Sequence, residues 1–321
     1  MSIESLSAAT RIPIIDLLGT AEDAQRRDAV AREIHRAACD TGFFYVANHG
    51  VDPAIVDAAF GAARAFFALP DARKRELLMG RGEMRGYEPL ESESLDARTG
   101  QDLKESFRLA RDDANPPNRW PRDLPGFRAA LLAYYAATST LGAHLVRLLA
   151  RSLGEPEDAF DDAYRGTSAT MRLLHYPPRP VGAADHQIGA GAHTDWGGIT
   201  ILAQDDVGGL DVQDATGTWL HALPVPGTFV INIGDLIARW TNERYHSTPH
   251  RVFNPAGARD RYSIACFYGP RDDAWIAPLP SCIAPGEAAR FAACTAGEHL
   301  AERWRAAYGL TDPGEALPGF H

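Results

Sequence analysis

Between Thr170 and Tyr268 the chain is cut into short β-forming segments by Gly, Pro and Asp, and this rhythm limits the fold more than any other feature. Eight segments carry it: Thr170–Tyr176, Ile188–Thr194, Thr200–Gln204, Leu210–Gln213, Trp219–Leu223, Phe229–Ile231, Arg251–Phe253 and Arg261–Tyr268. Inside this stretch Leu236–Trp240, opened by Gly234-Asp235, reads as a short helix. Eight such strands suit a jelly roll, in which two sheets each hide one face against the other. The rest of the chain is largely helical. Apolar residues recur at helical spacing over Asp23–Cys39, and Asp52-Pro53 opens a second helix that runs through Phe67. Asp71–Leu78, Phe127–Leu153 and Glu287–Tyr308 read as three more. Short strands are expected at Ile12–Leu17, Phe43–Val46 and Leu103–Leu109, the last alternating polar and apolar residues as a half-buried strand does. The fold class is mainly β with flanking helices.

Within the β-rich stretch, His193 and Asp195 stand two positions apart in Gly191-Ala192-His193-Thr194-Asp195-Trp196. On a strand, residues i and i+2 project to one face, so an imidazole and a carboxylate share a space. One more His completes the 2-His-1-carboxylate set of non-haem Fe(II) oxygenases, which leaves three metal positions open. His246 and His250 compete for that place. Four apart, they would share one side of a helix, but Pro249 lacks an amide donor and drives Thr248 toward extended geometry. Arg251-Val252-Phe253 then makes His250 the first residue of a strand and the expected ligand, with His246 at the surface or behind the ligands. Arg261-Tyr262-Ser263 repeats the i, i+2 arrangement. Arg261 offers a carboxylate two parallel charge-assisted hydrogen bonds, and Ser263 a third donor. Asp260 is expected to face outward, so Arg261, turned inward with Ser263, Ala265 and Phe267, has to find its anion in a ligand.

In this order, His193-x-Asp195, His250 and Arg261-x-Ser263 resemble the iron- and 2-oxoglutarate-dependent dioxygenase superfamily, and more narrowly its isopenicillin N synthase-like branch. Supporting motifs are Gly42-Phe43-Phe44-Tyr45-Val46 with Asn48-His49-Gly50, Arg172-Leu173-Leu174-His175-Tyr176-Pro177-Pro178, Gln204-Asp205-Asp206-Val207-Gly208-Gly209-Leu210, and Pro226-Gly227-Thr228-Phe229-Val230-Ile231-Asn232-Ile233-Gly234-Asp235. The resemblance implies a double-stranded β-helix (jelly-roll) core at residues 166–275 and an N-terminal region at 11–120 that feeds strands into its sheet. A connecting helix at 121–165 and a C-terminal helix at 285–310 complete the division. It further implies Fe(II) on His193, Asp195 and His250, with 2-oxoglutarate and O2 at the open positions. The distal carboxylate of 2-oxoglutarate would meet Arg261 and Ser263, with Tyr176 assisting; the Asn that accompanies this Tyr in plant members is Leu174 here. The implied reaction is oxidation, by default hydroxylation, of an unactivated C–H bond with release of succinate and CO2. The alternative is an oxidase like isopenicillin N synthase, which uses O2 without 2-oxoglutarate and places the substrate carboxylate on its Arg-x-Ser. A zinc hydrolase on the same ligands would need a Glu placed as general base, and no motif supplies one. A non-catalytic relative would be expected to have lost a ligand or the Arg.

Substrate contacts are expected from Phe267, from Trp196 (a Tyr in many relatives), and from Arg85 and Tyr87 in the glycine-rich stretch Gly80–Pro89, which in this family approaches the barrel mouth. Glu83, Glu88, Glu91 and Glu93 would suit a guanidino amino acid, and a natural-product intermediate fits the family equally. His49 reads as part of a turn, and His175 as an ordinary partly buried residue facing away from Tyr176. A net charge of −10 without any basic run argues against nucleic acid and anionic membrane as partners. Met1–Thr10 lacks the apolar stretch of a signal peptide, and Ala129–Leu153 carries His144, Arg147 and Arg151 at helical spacing, as an amphipathic helix rather than a membrane span would. Four cysteines without paired spacing read as reduced thiols. The expectation is a cytoplasmic enzyme, a monomer or weak homo-oligomer, acting on a small molecule.

Overall fold

The computed structural model describes residues 11–80, 84–113, 116–167, 169–179, 182, 184, 186–254 and 259–308. Glu83 lies outside them. The chain begins with strand β1 (Ile14–Asp16), helix α1 (Ala24–Asp40), β2 (Phe43–Ala47), α2 (Pro53–Phe67), α3 (Asp71–Arg75), β3 (Gly86–Glu88) and β4 (Glu105–Leu109). The long α4 (Phe127–Ser152) and short α5 (Asp161–Tyr164) lead into β5 (Thr170–Tyr176), β6 (Ala190–His193), β7 (Ile199–Gln204), β8 (Leu210–Gln213), β9 (Trp219–His221) and β10 (Phe229–Ile233). Then come α6 (Asp235–Trp240), β11 (His250–Val252), β12 (Arg261–Tyr268), β13 (Trp275–Ile276), β14 (Cys294–Thr295) and α7 (Ala296–Tyr308).

Two sheets enclose the functional space. The larger has eight strands in the order β1-β2-β10-β7-β12-β5-β4-β3, and the smaller has four in the order β6-β11-β8-β9. Strands β2 and β12 of the large sheet carry apolar residues on both faces because each face meets a different core. On β2, Phe44 and Val46 join the core under the helices, whereas Phe43 and Tyr45 join the core between the sheets. On β12, Ile264 and Cys266 point to the helices and Ala265 and Phe267 to the space between the sheets. Helix α4 is long and apolar enough to cross a membrane by length and composition alone. In the fold it packs on α1, α2 and β12, with Leu131, Tyr134, Leu141, Leu145 and Leu149 among its buried residues.

Four expectations are corrected. The third helix stops at Arg75, and its continuation runs to Leu78, which bridges to Tyr87. In the glycine-rich stretch expected at the barrel mouth, Gly86–Glu88 forms the buried edge strand β3, paired with Arg108, Phe107 and Ser106. The final helix begins at Ala296 rather than Glu287. Thr295 and Glu298 close a reciprocal cap there, Glu298 N–H donating to Thr295 Oγ1 at 3.1 Å and Thr295 N–H to Glu298 Oε2 at 2.7 Å. The alternation in β4 does not mark a half-buried strand either, because all five of its residues are buried. Glu105 points toward the helices, while Ser106 and Arg108 point between the sheets and meet charged partners there.

Candidate metal centre

The two expected histidines face each other by strand register. β6 and β11 are antiparallel neighbours, and His193 lies directly opposite His250, with ring centroids 4.3 Å apart. Each ring is oriented through Nδ1. His193 Nδ1–H donates to Gly191 O at 2.8 Å, and His250 Nδ1–H donates to Thr248 O at 3.2 Å. A carbonyl only accepts, so the proton sits on Nδ1 and each Nε2 keeps a free lone pair for a metal.

Asp195 is not on the strand as expected. β6 ends at His193, and Asp195 lies in the turn that carries the chain from the small sheet to β7 in the large one. Backbone bonds from the start of α6 hold this turn: Asp235 N–H donates to Asp195 O at 2.8 Å and Leu236 N–H to Gly197 O at 3.0 Å. The segments run so close that a Cβ on Gly234 would stand 2.4 Å from Gly197 O. The carboxylate itself is steered by two donors on one oxygen, Thr200 Oγ1 at 2.5 Å and Asn232 Nδ2 at 2.7 Å, both to Oδ2. Oδ1 is left 3.9 Å from His250 Nε2. One ligand atom from each of His193, Asp195 and His250 lies within 4.8 Å of the others. Burial, helped by the neighbouring His250, lowers the His193 pKa to about 4, so this ring is neutral and available as a ligand. Burial pushes Asp195 up, but His250, His193 and its two hydroxyl and amide donors hold it below the usual carboxylate range. Neutral imidazole nitrogen and carboxylate oxygen in a facial arrangement suit Fe(II).

Arg261 and Ser263 line the same cavity, which measures about 70 Å³. Arg261 is only 1% exposed. Its Nε–H donates to Gly208 O, its Nη1 donates to Ser263 Oγ at 3.2 Å, and its guanidinium carbon lies 4.7 Å from the Tyr176 ring centroid. Nη2 is buried and finds no partner among the described residues, and no carboxylate among them pairs with this cation. An unmatched buried guanidinium costs several kcal/mol, so the cavity is built to receive an anion at this end. His246, by contrast, is exposed, with its amide on Ala38 O, and takes no part in the site. His175 turns away from Tyr176 to Glu105 and Asp260, at 2.7 and 2.8 Å.

Of the four expected substrate contacts, two border the site. Phe267 lines the inner cavity, and Trp196 lines an outer cleft of about 1150 Å³, with Arg303 6.0 Å from its ring centroid. Tyr87 does not: it is buried on the helix side of the large sheet, against Phe66, with its hydroxyl on Glu105 at 2.5 Å. Arg85 donates to Met84 O at 2.8 Å and lines neither space. The place of Tyr87 follows from β3 being a paired strand, whose side chains are committed to the sheet's own packing. Sequence reasoning missed Lys104 and Arg172, which bring two cations to the inner wall, and Leu95 beside them. Nothing local marks these residues; only the pairing of β4 with β5 puts Arg108 opposite Arg172 and turns both inward.

Comparison with known proteins agrees with this geometry. Residues 12–123 match the model of the N-terminal region of non-haem dioxygenases in morphine synthesis, and residues 167–270 match that of the 2OG-Fe(II) oxygenase superfamily. The chain is 36% identical over 311 residues to a 2-oxoglutarate-Fe(II) type oxidoreductase of Aspergillus fumigatus, covering 91% of this chain and 92% of that one. It is also 36% identical over 330 residues to the 2-oxoglutarate-dependent dioxygenase citB of Monascus ruber, covering 95% and 98%. Among solved structures, a full-length Neurospora crassa protein in complex with alpha-KG and thymine superposes with a TM-score of 0.85 at 31% identity, covering 92% of this chain and 97% of that one. These relatives use 2-oxoglutarate, which decides against the oxidase that dispenses with it. The buried cation that awaits an anion and the triad beside it thus have one explanation: the chain belongs to the 2OG-Fe(II) oxygenase superfamily and is a 2-oxoglutarate-dependent dioxygenase with Fe(II) as its metal and O2 as its oxidant.

Proposed function

We propose that this enzyme hydroxylates an unactivated C–H bond of a small, neutral or anionic organic molecule. O2 and 2-oxoglutarate are consumed, and one oxygen atom goes to the product and the other to succinate as CO2 leaves. The observation that carries the reading is Arg261, a buried guanidinium with no anion among the described residues, in the cavity of the three ligands. His193, Asp195 and His250 would hold Fe(II), which when bound supplies the activation of O2. Arg261 and Ser263 would hold the distal carboxylate of 2-oxoglutarate, with the Tyr176 ring beneath the guanidinium. Gly191 O and Thr248 O keep the two imidazoles aimed, and Thr200 and Asn232 leave one oxygen of Asp195 for the metal.

The charge of the inner wall argues against a guanidino substrate. Glu88 and Glu93, expected to meet a cation, are taken up by Arg108, Arg172 and Lys104, and Glu91 is exposed beside Gln187. Lys104 and Arg172 face the cavity instead, and with Phe267 they suit a flat or apolar body bearing oxygen acceptors. Thymine, bound by the Neurospora crassa relative, is a molecule of that kind. The order of motifs supports a place in the isopenicillin N synthase-like branch. Four free cysteines suit a reducing compartment such as the cytoplasm, where we place a monomer or weak homo-oligomer. The test is an anaerobic difference spectrum of the protein with Fe(II), with and without 2-oxoglutarate, followed by succinate release across a substrate panel. A 2-oxoglutarate-dependent band and substrate-stimulated succinate are expected. Turnover of a substrate at full rate without 2-oxoglutarate would overturn the reading.

A further inference from the structure

Residues 89–104 cross from the edge strand β3 to β4 over the place where the inner cavity meets the outer cleft, and two anchors hold this strap. The first is Glu93. Its carboxylate meets Arg172 Nη2 at 2.9 Å, Lys104 Nζ at 2.9 Å and Arg108 Nη2 at 3.5 Å, and its carbonyl accepts from Asp102 N–H at 2.8 Å. The second is Asp102, 1% exposed, which accepts from Gly191 N–H at 2.9 Å and also takes Lys104. Gly191 is the residue whose carbonyl orients His193. Asp96 lies so close that a Cβ on Gly191 would stand 2.7 Å from the Asp96 amide nitrogen and Cβ. The strap is therefore docked on the strand that carries a metal ligand.

Between these anchors the strap delivers one apolar side chain inward. Leu95 is half-buried, packs on the core between the sheets, and lines both the inner cavity and the outer cleft. Among the described residues, His193 is the other one common to both walls. Whatever travels from the cleft to the metal passes Leu95 on one side and the His193 imidazole on the other. The inner cavity is small, about 70 Å³, so a side chain at its edge weighs on what can enter it. Three cations on Glu93 in a poorly hydrated wall oppose any easy swing of the strap.

Resting on the dioxygenase reading above, we propose that Leu95 is a specificity-determining residue, whose size sets the width of molecule that reaches the metal. A smaller residue here widens the range of molecules admitted and a larger one narrows it.

The experiment needs no knowledge of the natural substrate. Co(II) is loaded with 2-oxoglutarate into the wild type, Leu95→Ala and Leu95→Trp, and its visible spectrum is titrated with azide and with 4-phenylimidazole. Azide, a slender probe, is expected to bind all three equally. 4-Phenylimidazole is expected to bind Leu95→Ala roughly tenfold or more tighter than wild type, and Leu95→Trp weaker by a similar factor, the scale on which pocket size discriminates. Equal affinity of 4-phenylimidazole for the three proteins would overturn the proposal. So would parallel changes for both probes, which would make Leu95 a support of the metal site rather than a gauge of size. A wild type whose Co(II) spectrum ignores azide altogether would instead count against the metal centre itself.

Discussion

At the scale of single residues, the site separates ligands from neighbours by one hydrogen bond each. His250 has its Nδ1 proton on Thr248 O and its Nε2 toward Asp195, whereas His246 is exposed four residues earlier. His250→Ala is expected to remove Co(II) binding and to cut succinate release by more than the ~10–100-fold typical of losing a residue that merely supports a ligand. His246→Ala should leave both near wild type, and metal content with succinate assay on the two variants checks it. Arg261→Lys keeps the cation but loses the planar fork and its contact with Ser263. Charge-assisted hydrogen bonds of about 1.5–3 kcal/mol are at stake, so the Michaelis constant for 2-oxoglutarate is expected to rise by roughly 10–100-fold. Co(II) affinity measured without 2-oxoglutarate should stay unchanged. A loss of metal affinity equal to the rise in Michaelis constant would show that Arg261 supports the ligands instead.

The candidate ligands could be named from the sequence because they stand at short spacings. His193 and Asp195 are two apart, as are Arg261 and Ser263, and Pro249 forces the choice of His250. The eight segments between Thr170 and Tyr268 were readable too, since turn residues bound each one. Elements held mainly by partners were not. β3 and the β13–β14 pair are two or three residues long and owe their form to pairing, so no local period announces them. β4 shows the same limit in another way: its polar residues alternate as on a wet surface, yet they face buried charges of opposite sign. Lys104, Arg172 and Leu95 come together only through strand register and the strap, which sequence spacing does not encode. The contact of strap and β6 gives a prediction at this scale. Gly191→Ala would drive a methyl group into Asp96, and overpacking of this kind costs about 1–3 kcal/mol. The variant should melt earlier and bind Co(II) more weakly, because the same peptide orients His193. Wild-type values in both thermal melting and Co(II) titration would show that the strap is not seated on β6.

Across the whole molecule, the wall between the sheets is held by buried charges, and this sets an acid limit on stability. Burial pushes Glu88 and Glu93 up, but Arg108 and Arg172 outweigh it for Glu88, and Arg172, Lys104 and Arg108 for Glu93, holding both below the ordinary glutamate value, Glu93 well below. A carboxylate with a lowered folded-state pKa adds stability that is complete above its unfolded value and is lost as pH falls through the folded one. Asp102, raised by burial, works in the opposite direction. The urea midpoint is therefore expected to hold near neutrality and to fall below about pH 4.5, near the unfolded glutamate value. Glu93→Gln should lower the midpoint at pH 7, since it removes a carboxylate shared by three cations and leaves them to Glu88 and Asp102, yet flatten the acid limb; an unchanged limb would remove Glu93 from this role. The sheet order has a further consequence, which concerns synthesis. β2 pairs with β10, and β4 with β5, so the strands made first are completed only by strands made much later. During translation the early segment waits with open edges and with apolar residues on both faces of its strands, the condition in which chains associate wrongly. Folding is governed by closure of these distant pairs, and His193 meets its partner His250 only when β11 joins β6. A metal held by both histidines therefore has to wait for that pairing and cannot precede it.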